Sequence, residues 1–447
     1  MTRTSRNRKP RWLLAVATLA LLALVASACA NKKSGGGGSS SAGSSDKFGC
    51  VTYKPGDPIK IGTLLSITGN TAFLGTDSQH GAQLAVDYLD GKLDGKAGQL
   101  LGHPVTLVNQ DDGCSKTGGQ AGATKLAADP TILAVIGTSC SSSALGVADK
   151  IFSNKGILLI SPSNTNPNLT SAGTHQPFYL RTAHNDKIQG AVVAEFAYNQ
   201  LKAKSAATIH DESPYADALA AVFRDDFKKL GGKITDSEAI QSTDTDFKPL
   251  LTKIGQGKPD FLYYPDFDPA CALIAKQAKQ IPSLANTKLA GSDGCLESAY
   301  LKTGGKDVYL TYASGPDFAG LKTTNQFYGS QFLPAYKREF GTDPTASFHA
   351  HAYDAMNILA AAIKSTATKA SDGTVTIPRT ALKDAIFKTS GYQGLTGTIT
   401  CTPLGDCATS VTIAVFQAPN WPVEGGNPNA KPVFTKTETL AQASGAG

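Results

Sequence analysis

Between Gly137 and Thr165 an apolar stretch ends in G-T-S-C-S-S-S, a helical pattern follows, and a second apolar stretch ends in S-P-S-N-T-N-P. This reads as a strand-helix-strand unit, and parallel strands joined through a helix commit a chain to an α/β sheet covered on both faces. In such sheets ligands bind outside the carboxyl ends of the strands. Both exits carry hydroxyls, so Ser141, Ser163 and Thr165 are expected to line one pocket, with Ser139 beside them.

The same alternation runs through most of the chain. I-K-I-G-T-L-L-S, V-T-L-V-N-Q-D-D, L-A-V-I-G-T-S and I-L-L-I-S-P read as strands of one lobe, and A-A-T-I-H-D-E, D-F-L-Y-Y-P and K-L-A-G-S-D-G as strands of another. Apolar residues at helical spacing fall between them, at 81–89, 142–154, 215–230 and 269–280. About 380 residues are too many for one ordinary core, so two lobes are expected. The chain is expected to cross between them near 181–186, near 313–316 and near Gly391. That division gives residues 51–183 plus 316–390 to lobe 1 and 184–315 plus 391–433 to lobe 2. Residues 434–447 lack periodicity and read as a frayed tail.

The first 28 residues hold Arg3, Arg6, Arg8, Lys9 and Arg11, then an apolar run from Leu13 to Val25, then A-S-A before Cys29. This is the pattern of a secretory signal, and the run is short of the roughly 20 residues a bilayer span needs. V-A-S-A-C resembles a lipobox, which makes Cys29 the expected acylated N-terminus of a lipoprotein held on the outer face of the cell membrane. Residues 29–50, rich in Gly and Ser, read as a tether. The formal charge of +6 comes from 42 basic and 36 acidic residues. Loss of the signal leaves near-neutrality and no basic run, which excludes an electrostatic case for nucleic acid.

Eight cysteines fit an oxidising compartment. With Cys29 lipidated, seven remain and one is left over. C-T-P-L-G-D-C would close a hairpin through Cys401 and Cys407, Cys271 with Cys295 is a second expected pair, and Cys50 beside the tether is the expected odd thiol.

Several segments in order, D-D-G-C at Cys114, I-G-T-S-C-S-S-S, G-I-L-L-I-S-P-S-N-T-N-P-N-L-T, R-T-A-H-N-D-K-I-Q-G, I-H-D-E-S-P-Y-A-D-A-L-A and F-L-Y-Y-P-D-F-D-P, resemble the type I periplasmic binding proteins, in particular the leucine-isoleucine-valine-binding branch. The resemblance covers most of residues 58–420. It implies two doubly wound parallel-sheet lobes on a three-strand hinge, closing over a solute and delivering it to the membrane permease of an ABC importer, with no cofactor and a monomeric chain. It also implies a Cys114–Cys140 disulfide bracing the pocket wall.

Carried across position by position, the resemblance makes Ser141 the residue that holds an amino-acid carboxylate through its hydroxyl and amide. A helix N-terminus there would favour an anion. Thr165 supplies a second hydroxyl and Ser163 a backbone carbonyl for the ammonium. Asp293 in G-S-D-G is the acid that neutralises the ammonium, and Tyr215 an aromatic wall. The departures fall where specificity is set: Asp293 stands where the branch has glutamate, Phe267 where it has tyrosine, and Leu74 where it has an aromatic residue. An amino acid, branched-chain or otherwise apolar, is the expected ligand; an amide, urea or aromatic acid is the alternative, and a sensory receptor the alternative role.

Other chemistries are poorly supported. Ser139 in G-T-S-C-S lacks the second glycine of a nucleophile elbow, and no histidine has a recognisable partner motif. His349 and His351, two apart, point to different helix faces and make a poor metal pair. Asp266 and Asp268 in P-D-F-D-P lack the spacing of a calcium loop and read as turn residues.

Overall fold

A computed structural model describes residues 46–427 and 429–445. The expected signal, Cys29 and most of the tether lie outside the described residues.

Five parallel strands build the first sheet: β1 (Ile59–Leu65), β2 (His103–Asp111), β3 (Ile132–Gly137), β4 (Leu158–Ser161) and β5 (Tyr179–Arg181). Their spatial order is β2-β1-β3-β4-β5, with the short Gln99–Leu100 strand antiparallel on the outer edge of β2. The order reverses between β1 and β3, and that reversal opens a crevice at their carboxyl ends. At this switch point a Cβ on Gly137 would sit 2.2 Å from the Leu64 carbonyl, and its φ is +148°, so only glycine fits.

The second sheet repeats the plan with β6 (Ser205–His210), β7 (Lys233–Ala239), β8 (Phe261–Tyr264), β9 (Lys288–Gly291) and β10 (Tyr312–Pro316) in the order β7-β6-β8-β9-β10. β11 (Ser410–Gln417) and β12 (Phe434–Thr439) then add antiparallel to one edge. In both sheets alternate side chains feed cores on opposite faces. Ile136 and Leu158 pack into one core and Val135 and Leu159 into another; Leu262 and Tyr264 separate in the same way from Phe261 and Tyr263.

Four expectations need correction. The segment after Val433 is no frayed tail: it forms β12, registered from Ser410↔Thr439 to Val415↔Phe434, and ends in a helical turn closed by a Thr439–Gln442 capping box. Its polar residues hid an edge strand whose alternate side chains face solvent.

The third crossing is not at Gly391. That glycine, in a left-handed turn, only opens a hairpin whose Leu395, Ile399 and Cys407 belong to the first lobe's core. α1 (Ala72–Asp87) packs on α7 (His349–Thr366), and Asp354 of α7 accepts from the backbone N–H of Leu395 at 2.7 Å and of Thr396 at 2.8 Å. The chain leaves lobe 1 only between Cys407 and Ser410.

The helix expected over 142–154 is broken. One turn, α3 (Ser141–Ser143), gives way to non-helical Leu145 and Gly146 before α4 (Asp149–Lys155). The alanine-rich pattern conceals Gly146 at φ +70°, which ends the first turn.

Cys114–Cys140, Cys271–Cys295 and Cys401–Cys407 are disulfides, and Cys50 is disulfide-bonded as well rather than the odd thiol.

Candidate functional site

The loops leaving the strands face each other across the gap between the lobes. α2 (Lys116–Ala128) begins at Ser115, whose hydroxyl accepts from Gly118 N–H, and the preceding turn sets Gly113 and Cys114 at φ +52° and +51°. Such a left-handed pair is costly for the non-glycine residue. It is held by the disulfide to Cys140 and by Asp112, which accepts from the N–H of Cys114 at 2.7 Å and of Ser139 at 2.7 Å. Burial nevertheless pushes the Asp112 carboxyl up to about 7.

Ser139 is spent on the scaffold. Its N–H goes to Asp112, its Oγ accepts from Ser66 N–H at 2.9 Å, and its carbonyl accepts the Ser163 hydroxyl at 2.8 Å. The β4 exit is tied down just as firmly. The fully buried Arg181 pairs with Asp406 at 2.7 Å, and its guanidinium also donates to the carbonyls of Asn164 at 3.0 Å and Asn166 at 2.9 Å and to the Thr170 hydroxyl at 2.7 Å. The loop carrying Ser163 and Thr165 is thus clamped on both sides. Ser141 Oγ accepts from Asn166 N–H at 3.3 Å. Because α3 is a single turn, an anion at Ser141 would rely on local N–H groups and the hydroxyl, with little help from a helix dipole.

From the second lobe, Ser213 caps α6 (Pro214–Lys229) and places Tyr215 in its first turn. The Tyr215 hydroxyl donates to Asp293 at 2.8 Å and lies 2.6 Å from the Ser292 hydroxyl, in the loop after β9. The Cys271–Cys295 bond anchors that loop to helix Ala270–Ala278. The Asn166 side-chain amide donates to the Pro214 carbonyl, joining the lobes directly.

Sequence reasoning missed one group in the middle of this array. Asp186 opens α5 (Asp186–Glu195), is fully buried, and neither carboxylate oxygen has a hydrogen-bond partner of normal geometry among the described residues. Burial drives its carboxyl well above the usual range and the Asp293 charge adds to this, with the Thr165 hydroxyl and Arg181 opposing. Asp186 therefore sits within electrostatic reach of Asp293 and beside Thr165, two of the expected ligand residues. R-T-A-H-N-D marked a lobe crossing in the sequence; an acid next to a crossing that must close over a ligand was the available signal. Beside it, His184 Nε2 lies 2.5 Å from Gln189 Oε1, and the Gln189 amide donates to the Ser314 hydroxyl at 3.0 Å, which couples two of the crossings. Burial lowers the His184 pKa, so the imidazole is neutral.

Ser141, Ser163, Thr165, Tyr215 and Asp293 are all buried, and the lobes are closed over them. The Tyr215 ring lies tilted at 43° against Phe267, centroids 5.2 Å apart, and Phe267 packs with Leu74 and the Cys114–Cys140 bridge in one apolar cluster drawn from both lobes. Beyond that cluster a cavity of about 490 Å³ opens between the lobes. Its walls are strand exits: residues 68–71, 113–114 and 142 from lobe 1, and 211, 213, 242–243 and 266–270 from lobe 2. Of the expected ligand residues only Phe267 reaches it. Asp266 and Asp268, read as turn residues, line it instead.

Among the described residues no helix is long and apolar enough to cross a membrane, and no group of three or more His, Cys, Asp or Glu is arranged to hold a metal ion.

Known proteins share this arrangement. A leucine-, isoleucine-, valine-, threonine- and alanine-binding protein of Pseudomonas aeruginosa is 29% identical over 308 residues, 69% of this chain and 78% of that one. The leucine binding protein LivK of Thermotoga maritima superposes with a TM-score of 0.70 at 26% identity, over 85% of this chain and 98% of that one. The branched-chain amino acid transporter substrate binding protein LivJ of Streptococcus pneumoniae, solved with isoleucine, gives 0.69 at 25% identity, over 86% and 99%. These relatives are solute-binding proteins rather than enzymes. The periplasmic binding protein family model matches residues 58–419, and the chain belongs to that family.

Proposed function

We propose that the protein captures an α-amino acid outside the cytoplasm by closing its two lobes, and presents it to an ABC importer. The observation that carries the reading is the convergence of Asp293 and Tyr215 from one lobe with Thr165 from the other around the buried carboxyl of Asp186, whose oxygens lack a hydrogen-bond partner of normal geometry among the described residues. A buried carboxylate short of donors is costly, and a bound ammonium would supply them. The ligand carboxylate is assigned to Ser141, and its ammonium to Thr165, the Ser163 carbonyl, Asp293 and Asp186. Charge-assisted hydrogen bonds contribute about 1.5–3 kcal/mol each once water is excluded. The similarity to a leucine-, isoleucine-, valine-, threonine- and alanine-binding protein and to LivJ solved with isoleucine supports the amino-acid class.

Thermal shift with the twenty amino acids, urea, small amides and aromatic acids tests this, because a ligand bound only to the folded state raises Tm. Stabilisation by α-amino acids is expected. Stabilisation confined to compounds without an α-ammonium would overturn the roles of Asp293 and Asp186.

A further inference from the structure

The cavity beyond Phe267 is lined by three carboxylates, Asp211, Asp266 and Asp268, and by no Lys or Arg. Asp266 carries the argument. It is 2% exposed, its Oδ1 accepts from the Phe267 N–H at 2.8 Å, and its Oδ2 has no hydrogen-bond partner of normal geometry among the described residues, with the Asp211 carboxyl beside it. Burial, and then the neighbouring Asp211 charge, push its carboxyl well above the usual range. Asp268 is 5% exposed, its Oδ1 accepts from Ala272 N–H at 3.2 Å, and burial raises its pKa to about 6. The remaining wall is mostly hydroxyl and amide, including Asn70, Thr71 and Thr243.

An aliphatic side chain would bury these polar groups without satisfying them, which costs free energy. The amino-acid anchor and this cavity adjoin: Ser142 of the lining follows Ser141, and Gly294, which follows Asp293, is so close to Asp266 that an added Cβ would lie 2.4 Å from the Asp266 carbonyl, with Leu74 and Phe267 packed in the apolar cluster beside them. Both side chains are apolar, so the hydrocarbon part of a ligand side chain can lie against them while its polar end goes on to the acids.

We infer that the cavity receives a cationic side-chain end, so that the preferred ligand is an α-amino acid with a second positive group, of the lysine, ornithine or arginine type. This rests on the amino-acid reading above. Its distinguishing content is that Asp266 and Asp211 take the distal charge, while Asp293 and Asp186 take the α-ammonium.

Lysine and norleucine differ chiefly by the terminal ammonium, so calorimetric titration of the purified protein with each isolates it. Lysine is expected to bind at least about tenfold more tightly, as one desolvated charge pair provides. Asp266→Asn, and separately Asp211→Asn, should shrink that lysine-to-norleucine ratio toward one. The ratio within a single variant is insensitive to modest loss of stability, and the second variant serves if the first fails to fold. Binding of norleucine, leucine or valine equal to or tighter than lysine would overturn the inference and leave the amino-acid reading standing. Binding of no α-amino acid would overturn both. A rise in Tm with calcium chloride alone that Asp266→Asn abolishes would also overturn it, by making the acids a cation site independent of the amino acid.

Discussion

Asp293 makes the hydrogen bond that orients Tyr215, and it is the only acid supplied by the second lobe's switch-point loops to the α-ammonium assigned here. Asp293→Ala should weaken amino-acid binding by about 2–5 kcal/mol, the usual cost of truncating one partner of a buried charge pair. An unchanged titration isotherm would remove Asp293 from the site. Asp186 differs in kind, because its carboxylate has no donor of normal geometry among the described residues. Asp186→Asn should therefore raise the unliganded Tm while lowering affinity, a combination that a merely structural aspartate would not give. Differential scanning fluorimetry with and without ligand reads both changes, and a fall in the unliganded Tm would contradict the assignment. That Ser141, Ser163 and Thr165 lie buried together at strand exits was legible from the hydroxyls in the sequence. That Ser139 braces the scaffold was not, because its three hydrogen bonds come from Ser66, Asp112 and Ser163, which are distant in sequence or on another loop.

At the level of elements, two supports hold the site. Arg181 at the end of β5 clamps the Ser163–Thr165 loop and pairs with Asp406 inside the Cys401–Cys407 loop. Asp406→Ala leaves that guanidinium buried without its counter-charge and should cost about 3–5 kcal/mol. Urea unfolding measures it, and a cost below about 1 kcal/mol would mean that the carbonyls of Asn164 and Asn166 suffice to hold the arginine. The second support is β12. Deleting residues 434–447 would strip β11 of one of its two ladder partners and remove Phe434 from its contact with Phe196 at 5.5 Å. A loss of about 1–3 kcal/mol is expected from the apolar burial alone. The parallel strands were readable because both of their faces are buried, which leaves unbroken apolar runs such as I-L-A-V-I-G. β12 was not, because F-T-K-T-E-T is half solvent-facing and its hold on the fold comes from an antiparallel partner that ends 17 residues earlier. The hairpin after Gly391 was misplaced for a similar reason: its place is decided by Asp354, about 40 residues upstream, and by nothing in its own pattern.

The whole molecule carries an unusual store of buried acid, and this sets how its stability responds to pH. Burial raises Asp112 to about 7 and Glu297 to about 8, and lifts Asp186 and Asp266 well above the usual range. An acid whose pKa is higher in the folded than in the unfolded chain contributes stability that is fully present below its unfolded value and lost as pH rises through its folded value. The buried histidines act in the opposite sense. Burial lowers His80, His175 and His184 and takes His351 to about 3, so their contribution is complete above the ordinary histidine pKa and disappears only towards acid. Above pH 7 the histidines have nothing further to add, while the acids continue to lose protons in the folded state. The unliganded protein should therefore melt at a lower temperature at pH 9 than at pH 7. Glu297→Gln should shallow the decline, since Glu297 Oε1 has no partner among the described residues and Asp268 faces it. A bound ammonium reverses the balance at Asp186 by stabilising its ionised form, so the ligand-induced rise in Tm should grow from acid towards alkaline pH. Calorimetric scans at fixed ionic strength, with and without saturating ligand, separate the two effects. A ligand-induced shift that stays constant with pH would mean that Asp186 keeps its proton in the complex and that Asp293 alone neutralises the ammonium.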